Sequence, residues 1–152
     1  MPPSFPRAIR LTLLLVVGLG IVLRVVALDF GQGLLHARPD EFGVVETLRS
    51  IRTGRLFPMH LAYGGGYHAP LYVFTRLVAR DADLVTATTA GYLRLELAAR
   101  HWSALLSIAT LGLVYVLGRR LGGARTGLVA AAILASSTLA VREAHFAKAD
   151  TA

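Results

Sequence analysis

Three clusters of ionisable and polar residues adjoin apolar stretches of the sequence, and they hold the side chains that could do chemistry. A carboxylate can act as a general base, and a cationic side chain can stabilise negative charge that develops on a phosphate. Ionisable groups are costly at membrane depth, so their gathering at the ends of apolar segments indicates function. The clusters are His36, Arg38, Asp40 and Glu41; Tyr67 and His68; and Arg142, Glu143, His145, Lys148 and Asp150.

Each cluster also has a purely structural explanation. Asp40 and Glu41 would complement the dipole at the N-terminus of a helix. His68 would be a turn residue, because glycines precede it and Pro70 follows it. The charges around Arg142 would neutralise one another at a solvated helix end. For each cluster taken singly, the sequence leaves the structural and the functional interpretation open.

The composition indicates a membrane protein. Of the 152 residues, 55% are hydrophobic and only 16% are charged, with a formal net charge of +7. The arginines are spread singly between apolar runs, so anionic lipid or phosphate is a better partner than nucleic acid, and a genomic bias toward arginine is an equal alternative. The sequence has no cysteine, which excludes disulfides and thiolate metal sites.

Three apolar segments predict an all-α integral membrane protein with about three transmembrane helices. They cover residues 9–30, 101–118 and 126–141, and a transmembrane helix needs roughly 20 residues. The first segment reaches that length only if it includes Arg24, whose side chain would snorkel to the interface or face a protein interior. Small residues in the third segment predict close packing inside a helix bundle.

The first segment also fits a secretory signal peptide. Arg7 and Arg10 precede its apolar core, and Val25 and Ala27 follow it at the small-x-small spacing of a cleavage site. We expect a retained helix, with cleavage as the alternative.

Basic residues orient the predicted helices. A short turn at residues 119–125 contains three arginines, and Arg7 and Arg10 stand near the N-terminus. Short basic loops stay cytoplasmic, so the N-terminus and this turn are predicted to lie on the cytoplasmic side of the cell membrane. An outer loop, residues 31–100, and the start of a second outer loop, residues 142–152, then lie on the outer face. The arginines of the long outer loop oppose this only weakly, because long loops translocate largely regardless of charge.

Two amphipathic or interfacial elements are predicted within the outer loop. Pro39 to Thr53 has acids in its first turn, apolar residues at near-helical spacing and Gly54 at its end. It therefore predicts an amphipathic juxtamembrane helix on the outer membrane surface. Leu71 to Ala79 is apolar but too short to span, so it predicts an interfacial or re-entrant segment; a crossing there would invert the topology.

The order of these motifs resembles the N-terminal part of the GT-C fold glycosyltransferases, in the lipid-carrier-dependent branch of protein O-mannosyltransferases and aminoarabinose transferases (families 39 and 83). LRVVAL around Arg24 resembles the end of that family's first helix, and Asp40 and Glu41 match its acidic pair. HAPL from His68 is similar to its Lys/His-Pro-Pro-Leu element, with Ala69 in place of the first proline. RHWSALLS, LGRRLGG and HFAKADT resemble its next helix, cytosolic turn and second acidic motif.

The resemblance implies an inverting transfer of a sugar from a polyprenyl-phosphate donor to a glycan, lipid or protein acceptor at the outer membrane face. Asp40 would be the base, with Glu41 in support, and Asp150 would orient the acceptor. Asp40 and Asp150 could share a divalent metal, although the branch is not uniformly metal dependent. The implied contacts to the donor phosphate are His68, Lys148 and Arg100.

Members of that family run to several hundred residues, so we expect this chain to be a fragment that is inactive alone. Two other functions remain open. One is a non-enzymatic small multi-pass membrane subunit, in which the charges are interfacial anchors and partner contacts. The other is a transporter fragment in which Arg24 and Asp150 line a substrate path. It ranks third, because the second and third segments carry only Ser, Thr and Gly as polar or helix-breaking residues at mid-membrane.

Overall fold

The computed structural model describes residues 7–31, 39–54, 65–79 and 89–147. Within these ranges every regular element is an α-helix, so the predicted all-α class is confirmed. The helices are α1 (Arg7–Val25), α2 (Pro39–Arg52), α3 (Gly65–Val78), α4 (Thr89–Ser136) and α5 (Thr138–Ala144).

Two helices, α1 and α4, are long and apolar enough to cross a membrane. Much of their apolar surface faces outward: Leu14 of α1 is 70% exposed and Leu113 of α4 is 68% exposed. Apolar surface of this extent indicates contact with lipid or with a partner rather than with water. The described residues therefore form an all-helical fold with two candidate membrane-spanning helices.

Helix α4 is a hairpin of two antiparallel arms. Gly123 interrupts it with φ 87° and ψ 177°, a backbone conformation that glycine tolerates and other residues rarely adopt. The first arm, residues 89–122, is about 50 Å long, and the second arm, residues 124–136, is about 20 Å long, at 1.5 Å per residue. The turn therefore falls within the predicted cytosolic turn at residues 119–125.

Small residues let the two arms approach closely. A Cβ placed on Gly127 would lie 2.5 Å from the carbonyl oxygen of Tyr115, and one placed on Gly118 would lie 2.9 Å from the Cα of Gly127. Farther from the turn, Leu111 of the first arm packs with Ala131 and Ala135 of the second. Backbone contact of this kind is what small residues permit between membrane helices.

Helix α1 lies against both arms of α4. It approaches them closely at its buried Gly20, where a Cβ would meet the side chain of Leu111 at 2.6 Å and that of Ala135 at 3.4 Å. Val16 packs against the same cluster. The three helical segments thus form one bundle, as the small residues of the third apolar segment predicted.

At the other end of the bundle, α2 and α3 pack on the start of α4. Val44 and Leu48 of α2, Leu71 of α3 and Ala99 of α4 form one buried cluster with Ala147, which follows α5. The helix predicted from Pro39 is confirmed, and Gly54 follows it with φ 81°. Its apolar face packs on protein rather than lying free on a membrane surface.

Several predicted helix boundaries were wrong. The first predicted helix, residues 9–30, ends at Val25, because the left-handed backbone at Ala27 does not continue a helix. The first arm of α4 begins at Thr89 rather than at residue 101, because favourable helix formers continue upstream of the apolar stretch. The third predicted helix, residues 126–141, is broken at Ser137, whose backbone is extended and whose side chain caps α5. Helix α3 begins at Gly65, so His68 lies in a helix and not in a turn.

Candidate functional site

Arg100 is the centre of a buried ion-pair network at the α2 end of the bundle. Its Nε and Nη2 donate to the two carboxylate oxygens of Glu41, each at 2.9 Å, and Nη2 also donates to Glu96 Oε1 at 2.5 Å. Arg100 is 2% exposed and Glu41 is 3% exposed. The two-point contact matches the planar guanidinium to the planar carboxylate, which is the strongest form of such a pair.

The remaining donors of Arg100 hold the chain that follows α1. Nη1 donates to the backbone oxygens of Leu28 at 2.9 Å and Phe30 at 2.8 Å, and the guanidinium carbon lies 5.3 Å from the centre of the Phe30 ring. An arginine has five N–H groups, and these five bonds use all of them. In this segment after α1, Ala27 has a left-handed backbone with φ 61°, a strained conformation for alanine.

Glu41 also connects two distant parts of the sequence. Its Oε1 accepts a hydrogen bond from the backbone N–H of Ala147 at 2.9 Å. Glu41 follows Asp40 directly, and Ala147 directly precedes Lys148. One carboxylate therefore joins the segment that carries the first predicted acidic motif to the segment that leads into the second.

Asp40 is exposed in the first turn of α2, next to the buried network. This placement suits both interpretations given above, since an acid in the first turn complements the helix dipole and an exposed carboxylate is accessible to an acceptor. Lys148 and Asp150 lie outside the described residues, as do His36 and Arg38. In the part of the chain that the structure describes, no three His, Asp or Glu side chains are grouped to hold a metal.

His68 lies on α3, close to the network but inside the core. It is 2% exposed, and its ring meets the ring of Tyr67 edge-on at 5.4 Å. The Tyr67 hydroxyl lies 3.0 Å from Ser103 Oγ on α4, and burial raises the pKa of Tyr67 to about 12. The structure thus brings His68, Glu41 and Arg100 to the same end of the bundle, while His68 is enclosed by protein.

Sequence reasoning missed Glu96. It lies four residues before Arg100 on α4, the spacing at which acidic and basic side chains meet on a helix, so the pair was detectable in the sequence. With Glu41 and Glu96 ionised, two carboxylates share one guanidinium and the network carries a formal charge of −1.

Arg24 forms a second polar network, deeper in the bundle. It is 0% exposed, and its Nε donates to Ser107 Oγ at 2.8 Å. Its Nη2 donates to the carbonyl of Leu134 at 3.0 Å, and its Nη1 donates to those of Gly20 at 3.1 Å and Ala135 at 3.3 Å. Of the two positions expected for this side chain, the structure shows the protein interior.

The partners of Arg24 include the C-terminal end of a helix. The second arm of α4 ends at Ser136, so the carbonyls of Leu134 and Ala135 belong to its last turn, where partners within the helix run out. The same end carries the negative pole of the helix dipole. Arg24 thus caps this arm and ties it to α1 and to Ser107 of the first arm.

His145 joins the region after α5 to the region after α1. Its Nδ1 lies 2.7 Å from the carbonyl oxygen of Val141, and its Nε2 lies 2.9 Å from that of Val26. The ring also meets Phe30 edge-on at 6.4 Å. Phe30, whose ring lies beside the Arg100 guanidinium, is therefore also in contact with His145.

No protein-family model matches the chain, and no curated protein or solved structure is significantly similar to it.

Proposed function

We propose that this chain contributes the outer-face site of a multi-pass membrane glycosyltransferase that moves a sugar from a polyprenyl-phosphate donor to an acceptor. The supporting observation is the carboxylate of Glu41, which binds Arg100 and the N–H of Ala147 together. This contact holds the segment of Asp40 beside the segment that leads to Lys148 and Asp150. A transfer site needs its base and its cations close together, because positioning supplies much of the rate.

In this proposal Asp40 takes the acceptor proton, and Asp150 orients the acceptor. Glu41 is a positioning residue, because its carboxylate is buried and fully engaged with Arg100 and Ala147. Arg100 was expected to contact the donor phosphate, and that role would require it to exchange one of its five present bonds. We therefore assign Arg100 to positioning as well.

The remaining phosphate contacts in the proposal are Lys148 and His68. Lys148 would offer a point charge to the departing phosphate. His68 would have to become accessible, since it is 2% exposed. A divalent metal shared by Asp40 and Asp150 remains part of the proposal, as an alternative source of positive charge.

The decisive test replaces Asp40 with asparagine in the whole glycosyltransferase to which this chain is proposed to contribute the site, in a membrane preparation supplied with polyprenyl-phosphate-linked sugar. We expect transfer to fall by about 10²–10⁴-fold, the usual contribution of a general base. Because Asp40 is exposed, its replacement should lower stability only by the contribution of its charge to the helix dipole, at most about 1 kcal/mol. Asp29→Asn is the matched control, since Asp29 is also exposed and adjoins the same network. Full transfer by Asp40→Asn would contradict the assignment.

The proposed topology has three crossings, a cytoplasmic N-terminus and the Arg100 network on the outer side of the cell membrane. The basic turn around Arg120 supports this orientation. The natural sequence has no cysteine, so single cysteines can report it. Thr53→Cys, beyond α2, should react with an impermeant maleimide from outside intact cells, and Arg120→Cys should react only after permeabilisation. The reverse pattern would contradict the topology.

A small membrane subunit without enzymatic activity is the second candidate. It is favoured by the same saturation of Arg100, because a guanidinium with all five N–H groups bonded to protein serves the fold rather than a ligand. Under this alternative Asp40 would be only the dipole-compensating acid of α2. The Asp40→Asn measurement separates the two candidates, because only the enzyme requires that carboxylate.

A further inference from the structure

A groove on α4 lies on a different face of that helix from Arg100. It has a volume of about 470 Å³, within the usual range of ligand pockets. The end of α1 and the face of α3 form its walls, through Val25, Leu28, Phe74 and Val78. Its floor is one stripe of the first arm of α4.

The stripe is separate from the residues that hold the core. Arg94, Leu97, His101 and Leu105 recur at helical spacing along the groove. Glu96, Arg100, Ser103 and Ser107 recur at the same spacing on the face that binds Glu41, Tyr67 and Arg24. At about 100° of rotation per residue, the centres of the two stripes are separated by roughly 135°, a little over a third of a turn of the helix. A ligand in the groove would therefore lie beside the Arg100 network, with which the groove shares Leu28, whose carbonyl oxygen accepts from Arg100.

Polarity divides the groove along its length. Arg94 and His101 are exposed and lie toward the start of α4. Ala104, Leu105 and Ile108 line the part that runs toward the membrane-spanning region, where Arg24 meets Ser107. No described carboxylate forms an ion pair with Arg94. One end of the groove thus offers positive charge, and the other offers only apolar surface.

His101 complements Arg94 in a specific way. Its Nδ1 lies 2.8 Å from the carbonyl oxygen of Leu97, so this nitrogen is committed to the helix when it carries the proton. Nε2 can then accept from a hydroxyl, or donate to a phosphate when the ring is protonated. A headgroup that carries both a phosphate and hydroxyls satisfies Arg94 and His101 together.

We propose that this groove binds one anionic phospholipid of the outer leaflet, with the phosphate at Arg94 and His101 and an acyl chain along Ala104, Leu105 and Ile108. The charge at one end and the apolar wall at the other match the two halves of such a lipid. The site rests on the outer-face placement proposed above and does not depend on sugar transfer. The thiol-labelling experiment therefore tests the placement separately from the binding.

Trp102 provides a direct readout, because it is the only tryptophan in the sequence and its ring lies 5.3 Å from that of Phe74, which lines the groove. The full chain would be reconstituted in phosphatidylcholine nanodiscs that contain either brominated phosphatidylglycerol or brominated phosphatidylcholine. Bromine on the acyl chain quenches nearby tryptophan. We expect phosphatidylglycerol to occupy the site about fivefold more strongly, equivalent to about 1 kcal/mol for one basic residue at a membrane surface.

Three variants make the test specific. Arg94→Gln should abolish the preference, so that the two lipids occupy the site about equally. Arg76→Gln should retain the preference, because Arg76 is an exposed arginine of α3 that does not line the groove. Leu105→Glu places a carboxylate in the apolar half and should lower quenching by both lipids. Leu105 is 48% exposed, so the change leaves no cavity in the buried core.

Other results would overturn the proposal. Equal quenching by the two lipids in the natural protein would show that the groove does not select an anionic headgroup. A preference for phosphatidylglycerol that persists in Arg94→Gln would show that Arg94 does not contact the phosphate. Displacement of the brominated lipid by soluble glycerol phosphate would identify a headgroup site without an acyl chain. Absence of quenching by either lipid would show that no lipid binds the groove, and would favour a protein partner there.

Discussion

The two buried arginines of this bundle are held in opposite ways. Arg100 contacts two carboxylates and two backbone carbonyls near the α2 end of the bundle. The described partners of Arg24 are all neutral: one serine hydroxyl and three backbone carbonyls. Both side chains are almost fully enclosed, so the difference lies in how their charge is compensated.

This difference shows two solutions to the same electrostatic problem. Carboxylates repay the desolvation of Arg100 by direct attraction, which makes that network dependent on each charge being present. Arg24 relies on partial charges, chiefly those of a helix C-terminus, whose pole corresponds to roughly half an elementary charge. Removing a partner should therefore cost more at Arg100 than at Arg24.

The largest effect is expected for Arg100→Met. It leaves Glu41 and Glu96 as buried carboxylates without their cation, and breaking a buried ion pair costs about 3–5 kcal/mol. Unfolding in detergent, followed by the fluorescence of Trp102, would measure the loss. Combining Arg100→Met with Glu41→Gln and Glu96→Gln removes all three charges and should recover part of the stability. A single substitution that costs under about 1 kcal/mol would contradict the role of the network.

Arg24→Met should have a smaller effect, of about 2–3 kcal/mol. It leaves only neutral groups without partners, and each such group is less costly than a charge. Arg10→Met, at the exposed start of the same helix, is the matched control and should change stability by less than about 0.5 kcal/mol. If Arg24→Met destabilised the bundle more than Arg100→Met, the comparison between the two networks would be wrong.

The smallest effect tests the comparison within one helix. Ser107 accepts from the charged Arg24, whereas Ser103, one turn earlier, is paired with the neutral hydroxyl of Tyr67. Hydrogen bonds to charged groups are the stronger ones. We expect Ser107→Ala to cost about 1.5–2 kcal/mol and Ser103→Ala about 1 kcal/mol, both measured by the same unfolding signal. Equal losses would show that the charge of Arg24 is already compensated without Ser107.

Local sequence patterns were enough to predict much of the fold. A long apolar run predicted α1, the spacing of apolar residues predicted α2, and the short basic stretch between two apolar segments predicted the turn of α4. These features depend on neighbours within one or two helical turns, which the sequence displays directly. The start of α4 at Thr89 was missed because apolar content ends near residue 101 while helix formation continues upstream.

The site was less accessible to sequence reasoning, because its contacts join distant residues. Arg100 and Glu41 are 59 positions apart, and Glu41 and Ala147 are 106 apart. No periodic pattern links them, and only the packing of α2 on α4 brings them together. The resemblance already named Asp40 as the base and Glu41 as its support, but the sequence did not show that Asp40 is exposed and Glu41 buried, which arises because adjacent residues face different sides of a helix. The burial of Glu41 is the reason for its proposed positioning role.

In the proposed topology, the hairpin of α4 also bears on how the chain would enter a membrane. Its second arm spans about 20 Å, which is less than the roughly 30 Å of a hydrocarbon core. An arm of that length is a weak insertion signal by itself, whereas its partner arm is longer than the core. Backbone contact at Gly118 and Gly127 lets the two arms pack directly against each other. We therefore expect the translocation machinery to receive them together, as a preformed pair that enters the bilayer in one event.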